Sequence, residues 1–222
     1  MSRVPQRLGM RGSLKWIQRL VNGAPALLDG AILPRLCGAT SIRWVSPLAN
    51  DDYAEYRDAD FLKRVALAHL APALRDFWPE RGPQWDALGL SDKGDVLLIE
   101  AKAHIDELCS PGTTAGEASR ARIEAALARV ADAHDVTARA AWADVFYQLA
   151  NRLAHLHLLR AQGVPAWLVL VNVVGDSEMH GPATAAEWEA AYRVVLHVMG
   201  IGTSNRLLRH VIHAYPQARA IA

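Results

Sequence analysis

The spacing of apolar and polar positions predicts a chain that alternates between helices and strands. Apolar residues recur every three or four positions, which predicts helices over 13–21, 25–36, 51–70, 117–134, 137–162 and 184–198. Apolar and β-branched runs predict strands over 42–46, 167–174 and 209–215. The run at 167–174 is apolar at nearly every position, which is typical of a strand buried on both faces. Thr184, with Glu187 three residues later, is typical of a helix N-terminus.

Residues 85–104, WDALGLSDKGDVLLIEAKAH, predict two antiparallel strands joined by a tight turn. Residues 92–94 suit a three-residue loop, a type I turn closed by a left-handed glycine. In that register Asp86 faces Glu100 across the hairpin, on the same side of the sheet. Lys102 lies two residues beyond Glu100 and therefore points to that side as well. A slip of one residue would move Asp86 to the opposite face.

Two carboxylates and a lysine on one sheet face predict a metal-dependent hydrolytic site. Carboxylate oxygens are the ligands that Mg²⁺ prefers, and it commonly uses one or two of them with water and phosphate. A bound divalent cation activates water for attack. The hairpin therefore carries the strongest functional signal in the chain.

Composition predicts a sizeable hydrophobic core, in a chain long enough for one large domain or two small ones, with an uneven charge distribution. The chain has 222 residues, 51% of them hydrophobic, and a formal net charge of +1. Residues 1–43 hold seven Arg or Lys and one acid, whereas residues 51–60 hold five acids and one Arg. A basic arm beside an acidic patch indicates nucleic-acid contact next to a metal site, and a solvated basic helix is an equal alternative.

The same features predict a cytoplasmic protein without a membrane partner. Cys37 and Cys109 show no metal-ligand spacing and are interpreted as reduced thiols. The first sixteen residues contain no apolar core of a signal peptide. The longest apolar runs, such as 166–174, are too short to cross a bilayer.

The order of elements predicts an α/β fold with a mixed central β-sheet flanked by helices. Residues 1–222 are expected to form a single domain, because no linker is long enough to require a second one. Within it, residues 51–215 form the α/β core, and residues 1–43 form a basic helical extension packed on that core. A homodimer is left open.

The hairpin motif resembles that of the PD-(D/E)xK nuclease superfamily, which has the restriction-endonuclease-like fold. The resemblance rests on Asp86 in one strand and Glu100-Ala101-Lys102 in the next, after a helix and before a helix and strand. It covers residues 51–174, and the whole chain is similar to uncharacterised bacterial proteins of this superfamily. The proline that usually precedes the motif aspartate is replaced here by Trp85.

The resemblance implies a Mg²⁺-dependent nuclease, in which Mn²⁺ can substitute and DNA is favoured over RNA. It implies that Asp86 and Glu100 ligate the metal and that the Ala101 carbonyl adds a third oxygen. It further implies that Lys102 orients the attacking water and helps to deprotonate it.

Four further residues are candidates for this site, each with a plainer alternative. Glu55, on a predicted helix, resembles the helix glutamate that some members add to the metal site; otherwise it is a solvated acid. Gln148 resembles the helix glutamine that follows the motif in some of these nucleases. Arg152 lies on the same helix face as Gln148 and is a candidate contact for a phosphate. The alternative is that both belong to the polar side of an amphipathic helix. His104 follows the motif and is a candidate contact for a phosphate. The alternative is a histidine at the end of a strand with no role in the site.

The sequence supports three functional hypotheses. The first is a nuclease that hydrolyses phosphodiester bonds with metal-activated water. The second is a non-catalytic interaction or nucleic-acid-binding module that retains the fold, which the near-neutral net charge favours. The third is a metal-dependent enzyme acting on a small phosphate ester.

Overall fold

The structure, a computed structural model, describes residues 2–221 and is built around a five-stranded sheet. The strands are β1 (Arg3–Val4), β2 (Ile42–Ser46), β3 (Glu55–Tyr56), β4 (Ala87–Ser91), β5 (Val96–Lys102), β6 (Ala166–Asn172) and β7 (Val211–Ala214). The α-helices are α1 (Gly12–Gly23), α2 (Pro25–Ile32), α3 (Asp58–Arg64), α4 (Ala71–Phe77), α5 (Glu117–Ala133), α6 (Tyr147–Ala161), α7 (Ala185–Met199) and α8 (Ala218–Ile221).

The central sheet is mixed, in the order β2-β4-β5-β6-β7. Strand β4 is antiparallel to both of its neighbours, β2 and β5, whereas β5, β6 and β7 run parallel to one another. Parallel neighbours need long crossovers; α5 and α6 lie between β5 and β6, and α7 lies between β6 and β7. The predicted α/β class with a mixed, helix-flanked sheet is confirmed.

The sheet is buried on both faces, because strand residues alternate between two hydrophobic clusters. In β6, Leu168 and Leu170 belong to the cluster that includes α5, α6 and α7. Val169 and Val171 belong to the opposite cluster, which includes α1, α2 and α8. This alternation explains the nearly continuous apolar run that predicted a strand covered on both sides.

Helices α1 and α2, together with α8, cover one face of the sheet. Trp16, Ile17 and Leu20 of α1 are buried against the sheet face that carries Leu97 and Ile99. The following segment ends in β2, which forms the edge strand beside β4. The amphipathic helix predicted at 13–21 and the strand predicted at 42–46 are both confirmed.

The hairpin has the predicted register. Ala87 pairs with Ile99 in the ladder, which places Asp86, the next residue outward, opposite Glu100. The turn closes with a hydrogen bond from the Gly94 amide to the Ser91 carbonyl at 3.1 Å. Gly94 has a φ of 87°, the left-handed conformation that the turn requires.

The helix predicted over 51–70 forms as an α-helix only over Asp58–Arg64, which is α3. Asp52 and Tyr53 have φ values of 52° and 47°, which a right-handed helix does not accommodate. The short strand β3 replaces residues 55–56 of the predicted helix and pairs with β1. Long-range pairing with the N-terminal arm therefore overrides the local apolar spacing.

The helix predicted over 137–162 is correct only from Tyr147 onward, where α6 begins. Residues 137–146 are irregular, with Trp142 buried and its indole N–H donating to the Met199 carbonyl at 2.9 Å. This tertiary anchor holds the segment against the helix α7. Asp144 of this segment pairs with Arg120 of α5.

None of the helices within residues 2–221 has both the length and the apolarity to cross a bilayer. Cys37 and Cys109 are both free and exposed.

Replacing Thr184 with alanine is expected to destabilise α7. The Thr184 hydroxyl accepts the Glu187 amide at 3.3 Å, and the Glu187 carboxylate accepts the Ala183 amide at 3.0 Å. Loss of such a cap costs about 1 kcal/mol of unfolding free energy. Urea unfolding followed by circular dichroism should show this loss for Thr184→Ala and little change for Thr184→Ser; equal midpoints for the two variants would contradict it.

Candidate functional site

The sequence-predicted residues converge on one pocket of about 600 Å³ beside the carboxyl end of β5. The strand β5 and the residue before β4 supply its floor, and α6 supplies one wall. Of the residues singled out from the sequence, those lining the pocket are Glu55, Asp86, Glu100, Ala101, Lys102, Gln148 and Arg152.

Glu100 is the centre of the charged network. Its side chain is only 3% exposed. One carboxylate oxygen, Oε1, accepts from the Lys102 ammonium at 2.6 Å, and the other, Oε2, accepts from Nε of Arg152 at 2.5 Å. Burial acts to raise the pKa of Glu100, but Arg152 and Lys102 outweigh it and hold that pKa below its usual value. Glu100 is therefore a doubly paired carboxylate.

Asp86 has the opposite electrostatic environment. Its Oδ2 accepts the Ala101 amide at 2.7 Å, and no other residue of 2–221 makes a hydrogen bond to its carboxylate. Burial, followed by repulsion from Glu100 and Glu55, raises the pKa of Asp86 well above its usual value. In an extended strand the amide and carbonyl of one residue point the same way, so the Ala101 carbonyl faces the side on which Asp86 lies.

Lys102 presents a charged donor to the pocket floor. Its Nζ is held by Glu100 and by the Oε1 of Gln148, at 2.6 and 2.7 Å. An ammonium has three N–H donors, so these two acceptors leave one for a molecule in the pocket. Gln148 enters the network from the first turn of α6.

Glu55 reaches the pocket from β3, and its predicted placement on a helix is wrong. Its Oε2 accepts from the amide groups of both Gln6, at 3.1 Å, and Gln84. The side chain is buried, and this burial, with a contribution from Glu100, raises the pKa of Glu55. Three carboxylates therefore line one pocket, and repulsion from Glu100 contributes to the raised pKa values of the other two.

Arg152 is committed to the protein interior. Beyond its bond to Glu100, its Nη2 donates to the Gln84 carbonyl at 2.8 Å, and its Nη1 donates to Asn151 at 3.0 Å. Its guanidinium carbon lies 4.9 Å from the centre of the Trp85 ring, a cation–π distance. Arg152, the predicted phosphate contact, therefore lines the pocket, and its hydrogen bonds make it the countercharge of Glu100.

His104 lies beyond the end of β5 and is not among the residues that line the pocket. Its Nε2 is 3.8 Å from Glu107, and its Nδ1 is 3.9 Å from Asp106. The structure thus surrounds this histidine with acids, which disfavour a phosphate there.

Sequence reasoning missed three side chains that complete the site. Gln6 and Gln84 hold Glu55, and Glu107 lines the pocket while accepting the Ala103 amide at 2.5 Å and the Ser13 hydroxyl at 2.8 Å. A glutamine or glutamate in a loop carries no periodic signal. Gln84 alone had a cue, because it lies two residues before the motif aspartate.

The oxygen donors of the pocket suit a hard cation. Mg²⁺ needs only one or two carboxylates besides water and a substrate phosphate, and Asp86 with the Ala101 carbonyl and Glu100 meets that requirement. A ligand role for Glu100 requires one of its oxygens to exchange a hydrogen bond. Residues 2–221 contain no cluster of three or more His, Cys, Asp or Glu arranged to hold a metal.

Comparison with known proteins assigns neither a family nor a function to the chain. No family model, no curated protein and no solved structure matches the chain. The chemistry of the pocket is therefore inferred from its own side chains.

Asp86→Asn is expected to stabilise the protein at neutral and alkaline pH. In the folded protein the pKa of Asp86 lies above its value in the unfolded chain, which is about 3.9. The contribution of Asp86 to the free energy of unfolding is therefore fully present below about pH 4, and it is lost as the pH rises through the folded-state pKa. Each unit of that shift corresponds to about 1.4 kcal/mol. Asparagine keeps the acceptor for the Ala101 amide but cannot ionise.

Urea unfolding in EDTA at pH 5 and pH 8 checks this expectation. The unfolding free energy of the wild type should fall more over that interval than that of Asp86→Asn. The matched control is Asp132→Asn at an exposed position of α5. Identical pH dependence for wild type and Asp86→Asn would rule out the raised pKa.

Arg152→Ala is expected to destabilise the fold by about 3–5 kcal/mol, because it leaves a buried carboxylate with one of its two countercharges. The matched control is Arg160→Ala, which removes an exposed arginine from the same helix. Equilibrium urea unfolding of both variants at pH 7 measures the difference. Similar losses for the two would show that the Glu100 pair adds nothing to stability.

Proposed function

We propose that the protein is a Mg²⁺-dependent nuclease that hydrolyses phosphodiester bonds of DNA or RNA. The observation that carries the proposal is the meeting of Asp86, Glu100 and Lys102 at the floor of one pocket. The hairpin register brings these residues together. The resemblance of the same three residues to the PD-(D/E)xK motif supports this class of reaction.

Asp86, the Ala101 carbonyl and Glu100 would hold the metal, with Glu55 close behind them. When bound, Mg²⁺ supplies positive charge that lowers the pKa of water and offsets the negative charge of the phosphate. The raised pKa values of Asp86 and Glu55 are consistent with this role, because a cation would relieve the repulsion among the three carboxylates.

In the proposed reaction, the oxygen of a water molecule attacks phosphorus and the bond from phosphorus to one ester oxygen breaks. The proton of the water passes to solvent, and the departing ester oxygen takes a proton from solvent to leave as an alcohol. Lys102 donates its remaining N–H to the attacking water or to a phosphate oxygen, where negative charge develops. Gln148 and Glu100 keep the Lys102 ammonium aimed at that point.

A second candidate function is a non-catalytic nucleic-acid-binding or interaction module. It is favoured by the full pairing of Glu100, both of whose oxygens already accept from cationic side chains. A pocket that serves only as a structural ion-pair network needs no metal. Such a module would bind its partner equally well with and without divalent cations.

The nuclease proposal is tested with DNA and RNA oligonucleotides and a small phosphodiester, in Mg²⁺ or Mn²⁺ and in EDTA. We expect cleavage that requires the metal. Lys102→Ala should lower the cleavage rate by at least about 100-fold, the range for loss of a positioned catalytic donor. It should leave much of the Mn²⁺ affinity intact, as measured by calorimetry, whereas Asp86→Ala should abolish that affinity.

Lys93→Ala, in the hairpin turn and outside the pocket, is the matched control and should cleave like wild type. Full activity of Lys102→Ala would eliminate the assigned role of the lysine. Metal-independent binding without cleavage of any substrate would favour the interaction module.

A further inference from the structure

The walls of the pocket are fixed loops. On one side the loop of residues 109–114 is tied to the segment before α6. The Ser110 amide donates to the Val145 carbonyl at 2.7 Å, and the Thr113 amide donates to the Ala143 carbonyl at 2.9 Å. Gly112 has a φ of 79°, and a Cβ there would lie 3.0 Å from the same Ala143 carbonyl. The positive φ and this close approach favour glycine, and the two backbone hydrogen bonds hold the loop in place.

The opposite wall is formed by residues 81–84, which are also anchored. The Gly82 amide donates to Asp58 at 2.8 Å, and Gln84 is held by both Glu55 and Arg152. Between these two walls, the pocket of about 600 Å³ has the size of sites that enclose one small ligand. Its volume therefore suits a nucleotide and its phosphate.

The reactive groups are recessed below these walls. Glu100 and Lys102 are only 3% and 7% exposed, so a substrate phosphate must enter the pocket to reach them. In a continuous duplex, the phosphate is held by paired and stacked nucleotides on both sides. An unpaired strand can bend into such a recess, because its bases are free to splay out and to stack on aromatic side chains.

The charge of the lining also disfavours a duplex. Duplex binders bury a wide and strongly positive surface. Here acids are as prominent as bases, and the charged lining residues are Glu55, Asp86, Glu100, Glu107, Arg81, Lys102 and Arg152. A single strand, with fewer phosphates per length, needs less compensating charge.

Tyr147 provides the surface on which a base can stack. It is the first residue of α6 and the one aromatic side chain among the described residues that line the pocket. It is partly exposed, whereas Trp85 and Trp78 are buried and cannot contact a base. Single-strand binders commonly place such an aromatic ring beside a cationic groove.

On the basis of the proposed nuclease function, we infer that the pocket takes one unpaired nucleotide, whose base stacks on Tyr147. The substrate is then single-stranded nucleic acid or a frayed strand end, and the interior of an intact duplex is excluded. Tyr147 acts as a specificity residue for the unpaired state.

Binding and cleavage of matched probes test this inference on the full chain. The probes are a fluorescent single-stranded 12-mer and a duplex of the same sequence whose two ends are closed by non-nucleotide linkers, so that it presents neither ends nor unpaired nucleotides. Anisotropy in Ca²⁺ measures binding, and gel analysis in Mn²⁺ measures cleavage. We expect the single strand to bind at least about tenfold more tightly, since stacking alone can supply that factor.

Two variants at one position test the role of the ring. Tyr147→Leu should weaken single-strand binding by about tenfold, while Tyr147→Phe, which keeps the aromatic face, should bind within about threefold of wild type. Thermal unfolding of both variants separates loss of stacking from loss of folding. Equal weakening by Leu and Phe in folded proteins would overturn the stacking role.

The outcomes separate this inference from the nuclease proposal. Equal binding and cleavage of the closed duplex would overturn the unpaired-strand preference and leave a nuclease. Selective single-strand binding with no cleavage would uphold the preference and overturn the nuclease. Binding of neither probe would overturn both.

Discussion

The site depends on one buried interaction, the carboxylate of Glu100 held between Lys102 and Arg152. Buried charges are tolerated only when they are closely paired and hydrogen-bonded, so the three side chains must stay together. Lys102 belongs to the same strand as Glu100, whereas Arg152 comes from α6. The ion pair therefore binds α6 to the end of β5 and sets the pocket between them. The Arg152 guanidinium also makes a cation–π contact with the buried ring of Trp85.

A chain of polar contacts extends this interaction to both ends of the site. On one side it runs through Lys102 to Gln148, and on the other through Arg152 and Gln84 to Glu55 and Gln6. The N-terminal arm thus contributes to a pocket whose other members lie 50 to 150 residues away in sequence. In the same chain, Glu100 has a lowered pKa and Asp86 and Glu55 have raised ones. The difference in pKa distinguishes Glu100, a carboxylate paired with two cations, from Asp86 and Glu55, whose carboxylates take up a proton more readily.

The local rules predicted some elements well and others poorly, and the difference has a physical cause. The hairpin was predictable because a short turn fixes the register of both strands. The two wrongly predicted helical segments, 51–57 and 137–146, have apolar residues at helical spacing but are held by distant partners. The strand β1 pairs with β3, and the Met199 carbonyl accepts a hydrogen bond from the Trp142 indole. Arg152 was identified as a site residue, but its pairing with Glu100 was not, because nothing in the sequence relates helix orientation to the strand end.

The sequence alone determined the α/β class, the turn of the hairpin and the common face of Asp86, Glu100 and Lys102, since these follow from side-chain periodicity and turn geometry. Only the tertiary structure decided which groups surround that face. It brought Glu55 in on a strand, turned Arg152 inward, placed His104 outside the pocket and added Gln6, Gln84 and Glu107. These placements depend on how separate segments pack, and packing is a property of the whole chain that no local pattern encodes.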